Sequence, residues 1–351
     1  MTGKKKQHYV PQFYLKNFGK GNGIFVFDKQ SKIVYGSNVS DVAQERYFYA
    51  IPNERGESGG KHSNLELINS VEDYLSEIDH RSNRAIASLL RNIESSRVIS
   101  RSGFPTYSLS ENDRINLSVF IVFQDLRTRE FREKIAQMEY FFTKTIMKRV
   151  IEFKHPDKKK YLEKMDIYIH EYREILRHLS LITDHGFINK LVNFALSKHW
   201  VIGYNQTEIP LITSDHPVVM RSHNDHPWLR SAAWGVPKTE ILIPLSPKVS
   251  LMLMCKSFFN DSHGSVLAEQ HTENRVVPLN KDNIIYNNHL QITGSYQRLF
   301  SNTDEFYLAE DILAEEPKYS NPNRKRVVAS EKSNLPSNWA VRHKINGNEI
   351  P

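Results

Sequence analysis

Ile24-Phe-Val-Phe-Asp-Lys-Gln-Ser-Lys-Ile-Val-Tyr35 contains two short runs rich in β-branched and aromatic residues, at 24–27 and 32–35, joined by the polar residues 28–31. Two such runs around a short polar link predict a β-hairpin. Its strands are antiparallel neighbours with no helix between them, which argues against a doubly wound α/β fold. Upstream, Pro11, Tyr14, Leu15 and Phe18 share the i, i+3, i+4, i+7 spacing of one helical face, and Gly19 is placed to stop that helix. Downstream, Arg46-Tyr-Phe-Tyr-Ala-Ile51 reads as a third strand.

Residues 64–199 read as helical. Val71, Leu75, Ile78 and Ile86 mark one apolar side. Ser110 and Asp113 are spaced as a helix cap before Ile115-Asn-Leu-Ser-Val-Phe-Ile-Val-Phe123, a run apolar on most sides and therefore expected in the middle of a bundle. Helices are also predicted over 168–182 and 187–196. From Trp200 the pattern returns to strands at 201–204, 211–213, 241–243 and 249–253, punctuated by prolines. Residues 265–275 and 284–300 read as further helices. Strands grouped at both ends around a helical middle predict an α+β fold. Its central helical bundle would pack on a mostly antiparallel β-sheet built from N-terminal and C-terminal strands. One integrated domain over 1–316 is expected, with a loose basic tail over 317–351.

The chain has 351 residues, 39% hydrophobic and 25% charged, a globular composition. Its one cysteine, Cys255, excludes an internal disulfide and a cysteine-rich zinc site and reads as a buried, inert thiol. A reducing cytoplasmic setting is expected, since no secretory signal or membrane-spanning run is visible and no membrane partner is indicated. Net charge is +7, unevenly spread. Residues 127–164 carry 12 Lys/Arg against 6 Asp/Glu, and residues 317–351 carry 7 against 2. Such stripes hold phosphate backbones or are simply solvated.

The opening His8-Tyr-Val-Pro-Gln-Phe-Tyr-Leu-Lys-Asn-Phe18 has the form His-x-x-Pro-x-x-Tyr-Leu-x-x-Phe. It is followed in order by Glu45-Arg-Tyr-Phe-Tyr49, Gln124-x-x-Arg127, Leu211-Ile-Thr-Ser-Asp-His-Pro-Val218 and Pro244-Leu-Ser-Pro-Lys248. This succession, over roughly 8–300, resembles the domain of unknown function 4238 family. Asp79 departs from the Glu-rich helix of that pattern. The family carries no assigned activity, so the resemblance implies a fold grouping and candidate positions.

Each candidate position has two readings. His8 suits a general base or metal ligand, or a ring bonded to nearby backbone. Glu45 and Arg46 suit a charged pair at a pocket edge, or a surface pair. Gln124 and Arg127 share a helix face, and Arg127 could clamp a phosphate or carboxylate or lock Asp215 or Glu45 in an ion pair. Asp215 suits a base or metal ligand, or an Asx-turn closing its strand. His216, His223, Asp225 and His226 form a histidine-rich loop whose spacing matches no tight zinc motif. No phosphate-loop, dinucleotide, zinc-protease or nucleophile-elbow motif is present.

Two functions are therefore expected to compete. One is a hydrolase, on phosphodiesters or nucleic acid, whose composite pocket gathers His8, Glu45, Arg127 and Asp215 as catalytic candidates. Arg46, Gln124, Ser214 and Lys248 would bind substrate, and the chemistry is open to a divalent metal. The other is a non-catalytic module that binds nucleic acid or another polyanion through the basic helix at 127–164.

Overall fold

The chain opens with β1 (Lys6–His8) and the short helix α1 (Gln12–Lys16), then β2 (Gly23–Asp28), β3 (Ile33–Asn38) and β4 (Gln44–Arg46). The predicted hairpin is β2–β3, and Asp28 Oδ1 closes its turn by accepting from the backbone N–H of Gln30 and Ser31. The structure is a computed structural model. It describes residues 6–50, 65–99, 107–162, 164–224, 232–259 and 276–327, with a strand pair at Lys344–Ile345 and Asn348–Glu349.

Helices fill the middle: α2 (Leu65–Ile99), α3 (Glu111–Leu126), α4 (Arg129–Lys154), α5 (Glu171–Thr183) and α6 (His185–Ser197). Strands then resume as β5 (His199–Asn205), β6 (Thr213–Ser214), β7 (Val219–Ser222), β8 (Thr239–Ser246), β9 (Val249–Met254) and β10 (Val276–Leu279). Next come α7 (Lys281–Gly294), β11 (Arg298–Ser301) and α8 (Tyr307–Glu315). The fold is α+β. The strands divide between a five-stranded sheet, β10-β5-β9-β8-β7, and a four-stranded sheet, β3-β2-β11-β6. All pairings are antiparallel except β10 with β5. The four-stranded sheet joins N-terminal strands to C-terminal ones, as expected. β1 and β4 form a separate ribbon.

Local chemistry sets the helix ends. Ser110 caps α3 by accepting from Asp113 N, Thr128 caps α4 through Phe131 N, and Asp184 caps α6 through Phe187 N. The second half of α3 is buried on every side, because its run of apolar residues leaves no solvent face. It packs with α2, α6 and α1 in a core that includes Tyr14, Phe18, Phe120, Phe123, Ile243 and Leu251. A second cluster, around Phe27, Leu299, Phe306 and Leu313, seats α8 on the four-stranded sheet.

Four expectations are corrected. The strand placed at 46–51 lies at 44–46, because Ala43 and Tyr47 on either side adopt left-handed backbone (φ 49° and 58°). The helix placed at 284–300 stops at Gly294, and Leu299 and Phe300 belong to β11, whose ladder with β2 outweighs helical pattern. Residues 168–170 carry no regular secondary structure, and α5 begins at Glu171. The basic tail is not loose from its start. A 3₁₀ turn (Pro317–Ser320) leads into a segment whose Arg324 and Arg326 bind Glu130 of α4. The helix expected over 265–275 lies outside the described residues.

Between α1 and β2, Lys20 and Gly23 exchange backbone hydrogen bonds (2.9 and 3.1 Å). A Cβ on Gly19 would meet Gly23 O at 2.4 Å, whereas one on Gly36 would meet nothing within 4 Å. Gly19→Ala is expected to cost about 1–3 kcal/mol in urea unfolding, since the clash is with backbone. Gly36→Ala should stay within about 0.5 kcal/mol.

Candidate functional site

Arg127 follows the last turn of α3, and its guanidinium is buried. Nη1 donates to both oxygens of Asp79 in α2, at 2.9 and 3.2 Å. Nε and Nη2 donate to Gln124 Oε1 at 3.0 and 2.6 Å. The Gln124 amide donates in turn to Tyr9 O at 3.1 Å, and the Tyr49 hydroxyl donates to Arg127 O at 3.4 Å. The acid that meets Arg127 is thus Asp79, the position that departs from the family pattern, and neither Asp215 nor Glu45. Burial pushes the Asp79 carboxyl up, against the pull of Arg127.

Asp215 follows β6 and is buried. Oδ1 accepts from Tyr296 N at 2.8 Å, and Oδ2 accepts from Gln297 N and Arg298 N, both at 2.7 Å. It therefore fixes the turn that leads into β11. Burial pushes its carboxyl up, while Lys29 and the three N–H groups favour the charged form. Ser214 Oγ donates to Gln291 Oε1 at 2.7 Å, and the Gln291 amide donates to Pro217 O at 2.8 Å. Thr213 Oγ1 lies 2.8 Å from the Tyr14 hydroxyl, which donates to Pro244 O at 2.6 Å. Beside them Lys29 Nζ donates to Ile292 O and Ser295 O, at 2.8 and 2.9 Å, across the end of α7. Burial brings the Lys29 amine down to about 7, helped by Arg324 and opposed by Asp215 and Glu130.

The β1–β4 ribbon separates two other candidates. Its register sets Gln7 opposite Glu45 and His8 opposite Gln44. Cross-strand partners share a face and neighbours alternate, so His8 and Glu45 point to opposite sides. His8 Nε2 lies 3.1 Å from Ser40 O, and burial lowers its pKa. Glu45 Oε2 accepts from Arg129 Nη1 at 3.3 Å, and Arg129 Nε donates to Glu133 at 2.9 Å. The charges of Asp215 and Glu45 both reach the Tyr9 hydroxyl, whose pKa burial raises first. The four residues expected to line one pocket are not bonded to one another: His8 meets Ser40 O, Glu45 meets Arg129, Arg127 meets Asp79 and Gln124, and Asp215 holds the 296–298 turn. Of the remaining candidates, Gln124 and Ser214 are buried, Arg46 is exposed on β4, and Lys248 sits in the β8–β9 turn with Nζ on Thr207 O at 2.8 Å.

The histidine-rich loop also divides. His216 Nδ1 meets the capping hydroxyl of Thr128 at 2.7 Å, and burial drives its pKa to about 3. Asp125 accepts from the Trp234 indole at 2.8 Å and is pushed up to about 6, again by burial. His223 bonds Glu240 at 2.9 Å. Asp225 and His226 lie outside the described residues. Cys255 is half-buried, not fully buried, and Lys198 Nζ approaches its Sγ at 2.9 Å. Among the described residues, no three His, Cys, Asp or Glu side chains are grouped as metal ligands.

Sequence reading missed the residues that seat the first turn of α4. Glu130 is held by Arg324 and, through both oxygens, by Arg326 at 2.9 Å. Arg132 lies 3.7 Å from the Phe48 ring centroid and donates to Phe48 O and His178. Glu130 and Arg132 are the buried residues of this helix. Beyond them α4 turns outward. Phe142, Ile146, Val150 and Phe153 form an exposed stripe, with Arg149, Lys154, Lys158, Lys159 and Lys160 exposed around it. The charge count over 127–164 was the signal that found this surface. The exposed rings were legible only as helical amphipathicity, without a side.

A family model described as "Protein of unknown function (DUF4238)" matches residues 6–305. No curated protein and no solved structure matches the chain. No helix among the described residues is long and apolar enough to cross a membrane.

The Lys29 amine carries a pH prediction. Its folded value of about 7 lies below its ordinary 10.5, so the unfolded chain binds the extra proton between those limits. Its contribution to stability is lost as pH falls through about 7 and grows from there towards about pH 10, by about 1.4 kcal/mol per unit at most. The urea midpoint of the wild type, relative to that of Lys29→Met, should rise over this window.

Proposed function

The chain belongs to the protein family of unknown function DUF4238, and from that premise we propose that it binds nucleic acid through the outer half of α4 and the lysine turn after it. The observation that carries this reading is the exposed cation cluster Arg149, Lys154, Lys158, Lys159 and Lys160, set beside exposed Phe153 and Tyr161. Only part of that charge is answered locally: Lys159 pairs with Glu152 at 2.7 Å, and Lys144, one side of the stripe, with Asp166 at 3.1 Å. Lysines on flexible stems neutralise phosphates without demanding a fixed geometry, and the released counterions supply the affinity. Arg149 and Lys154 lie on the last turns of α4, and Lys158, Lys159 and Lys160 on the 3₁₀ turn that follows it (Pro156–Tyr161).

The polar residues of the family blocks support this choice from the other side. Arg127, Gln124, Ser214 and Asp215 are occupied by partners within the protein, which favours structural roles for them. A hydrolase reading is favoured by one observation. Glu45 stays about one-third exposed (36%) and shares Arg129 with Glu133, a carboxylate and a guanidinium side by side near the Tyr296 ring. There Glu45 would serve as base and Arg129 as phosphate clamp.

Two measurements follow. Replacing Lys158, Lys159 and Lys160 together by alanine should weaken nucleic-acid binding at moderate salt and reduce the log–log salt slope by about 2–3. The melting temperature should not move, because none of the three is packed in the core. In a metal-supplemented nuclease and phosphodiesterase screen, activity that disappears in Glu45→Gln supports the hydrolase reading. Activity unchanged in that variant, or none in the wild type, ends it.

A further inference from the structure

We infer that the cavity between the end of α7 and residues 318–326 is a binding site for a small, multiply charged anion of the phosphate-ester or diphosphate class. It is lined by the first turns of α4 and does not depend on the reading of that helix's outer half.

The cavity holds about 710 Å³, within the roughly 300–1,000 Å³ of small-molecule sites. Its walls carry five cations, Lys134, Lys318, Arg324, Lys325 and Arg326, against one carboxylate, Glu130. The two guanidiniums are already bonded. Arg326 grips Glu130 through Nε and Nη2 and also donates to Arg324 O and Pro322 O. Arg324 Nη2 donates to Glu130 and Ser295 O, and its Nη1 donates to Tyr296 O. Their side chains are only 9% (Arg324) and 3% (Arg326) exposed. One buried carboxylate thus answers two buried guanidiniums, which leaves a positive charge unbalanced beside the cavity. Burial works against the charge on Arg324, Glu130 supports it, and Arg326 opposes it again.

The lysines differ from the arginines. Lys318 pairs with Glu316, which does not line the cavity. Lys134 and Lys325 are exposed and make no hydrogen bond or ion pair among the described residues. Their ammonium groups are therefore open to a ligand, and the guanidiniums add field without giving up a bond. An ammonium on a flexible stem is a point charge that suits phosphate oxygens. A ligand with a single charge would leave most of the excess unanswered.

The walls are tied together by the protein itself. The Gln137 amide of α4 donates to Arg324 O at 2.9 Å, and Gln137 Oε1 accepts from Arg326 N at 2.7 Å. Arg324 joins the same segment to the end of α7 through Ser295 O at 2.8 Å, next to Thr293 and Gly294 of the lining. A frame already in place reduces the ordering cost of binding.

The test titrates the full chain with inorganic pyrophosphate by calorimetry at fixed ionic strength, with succinate as a second ligand and oligo-dT as a competitor. Wild type is expected to bind pyrophosphate saturably, and more tightly than succinate. Lys134→Gln combined with Lys325→Gln should weaken binding about tenfold or more without moving the melting temperature. Lys134→Arg combined with Lys325→Arg, which keeps both charges, should retain it, as should alanine at Lys158, Lys159 and Lys160. No saturable binding of pyrophosphate, or binding unchanged in the double glutamine variant, overturns the inference. Succinate bound as tightly as pyrophosphate overturns the phosphate class. Displacement of pyrophosphate by oligo-dT overturns the small-molecule assignment and joins the cavity to the nucleic-acid surface.

Discussion

A guanidinium sealed in a protein interior has to be surrounded by acceptors, and the arrangement around Arg127 depends on that requirement. The planar fork makes four hydrogen bonds, two to Asp79 from α2 and two to Gln124 from one turn earlier in α3. The Gln124 amide then reaches the backbone of the opening segment at Tyr9. Removing Asp79 would leave the buried guanidinium without its counter-ion, which is destabilising. The knot therefore sets how α2, α3 and the first residues of the chain meet.

Asp215 does the same for the sheets. Three backbone N–H groups aimed at one carboxylate make a turn that has no hydrogen-bonded ladder of its own. That turn delivers β11 to β2, and β11 joins the N-terminal hairpin to β6. The blocks that mark the family in sequence are thus bonded to one another in space. Tyr14 reaches Thr213 and Pro244, and Tyr49 reaches Arg127. A common fold is enough to account for their polarity.

Function is then sought where the chain breaks the rules of a stable surface. α4 is clamped at its first turn by Arg324 and Arg326, residues beyond the span matched by the family model. Past that clamp it exposes phenylalanine, isoleucine and valine among lysines. Local inconsistency of this kind, apolar side chains held in water among cations that are only partly paired, is where sequence and stability part.

Within a few residues, the sequence determined a good deal. The hairpin, the all-round burial of the end of α3, the Ser110 cap and the basic character of α4 depend on contacts no more than a few positions apart, so pattern alone carries them. The tertiary structure decided the rest. Arg127 could have met any of several carboxylates, and packing of α2 against α3 brought Asp79, 48 positions away. Gly294 could have continued a helix, yet the antiparallel ladder with β2, formed across most of the chain, made strand of Leu299 and Phe300. The ribbon register placed His8 and Glu45 on opposite faces, which their separation in sequence does not encode. Spacing fixes which side chains can be neighbours along an element. Which elements meet, and so which charge finds which partner, is settled only when the core closes.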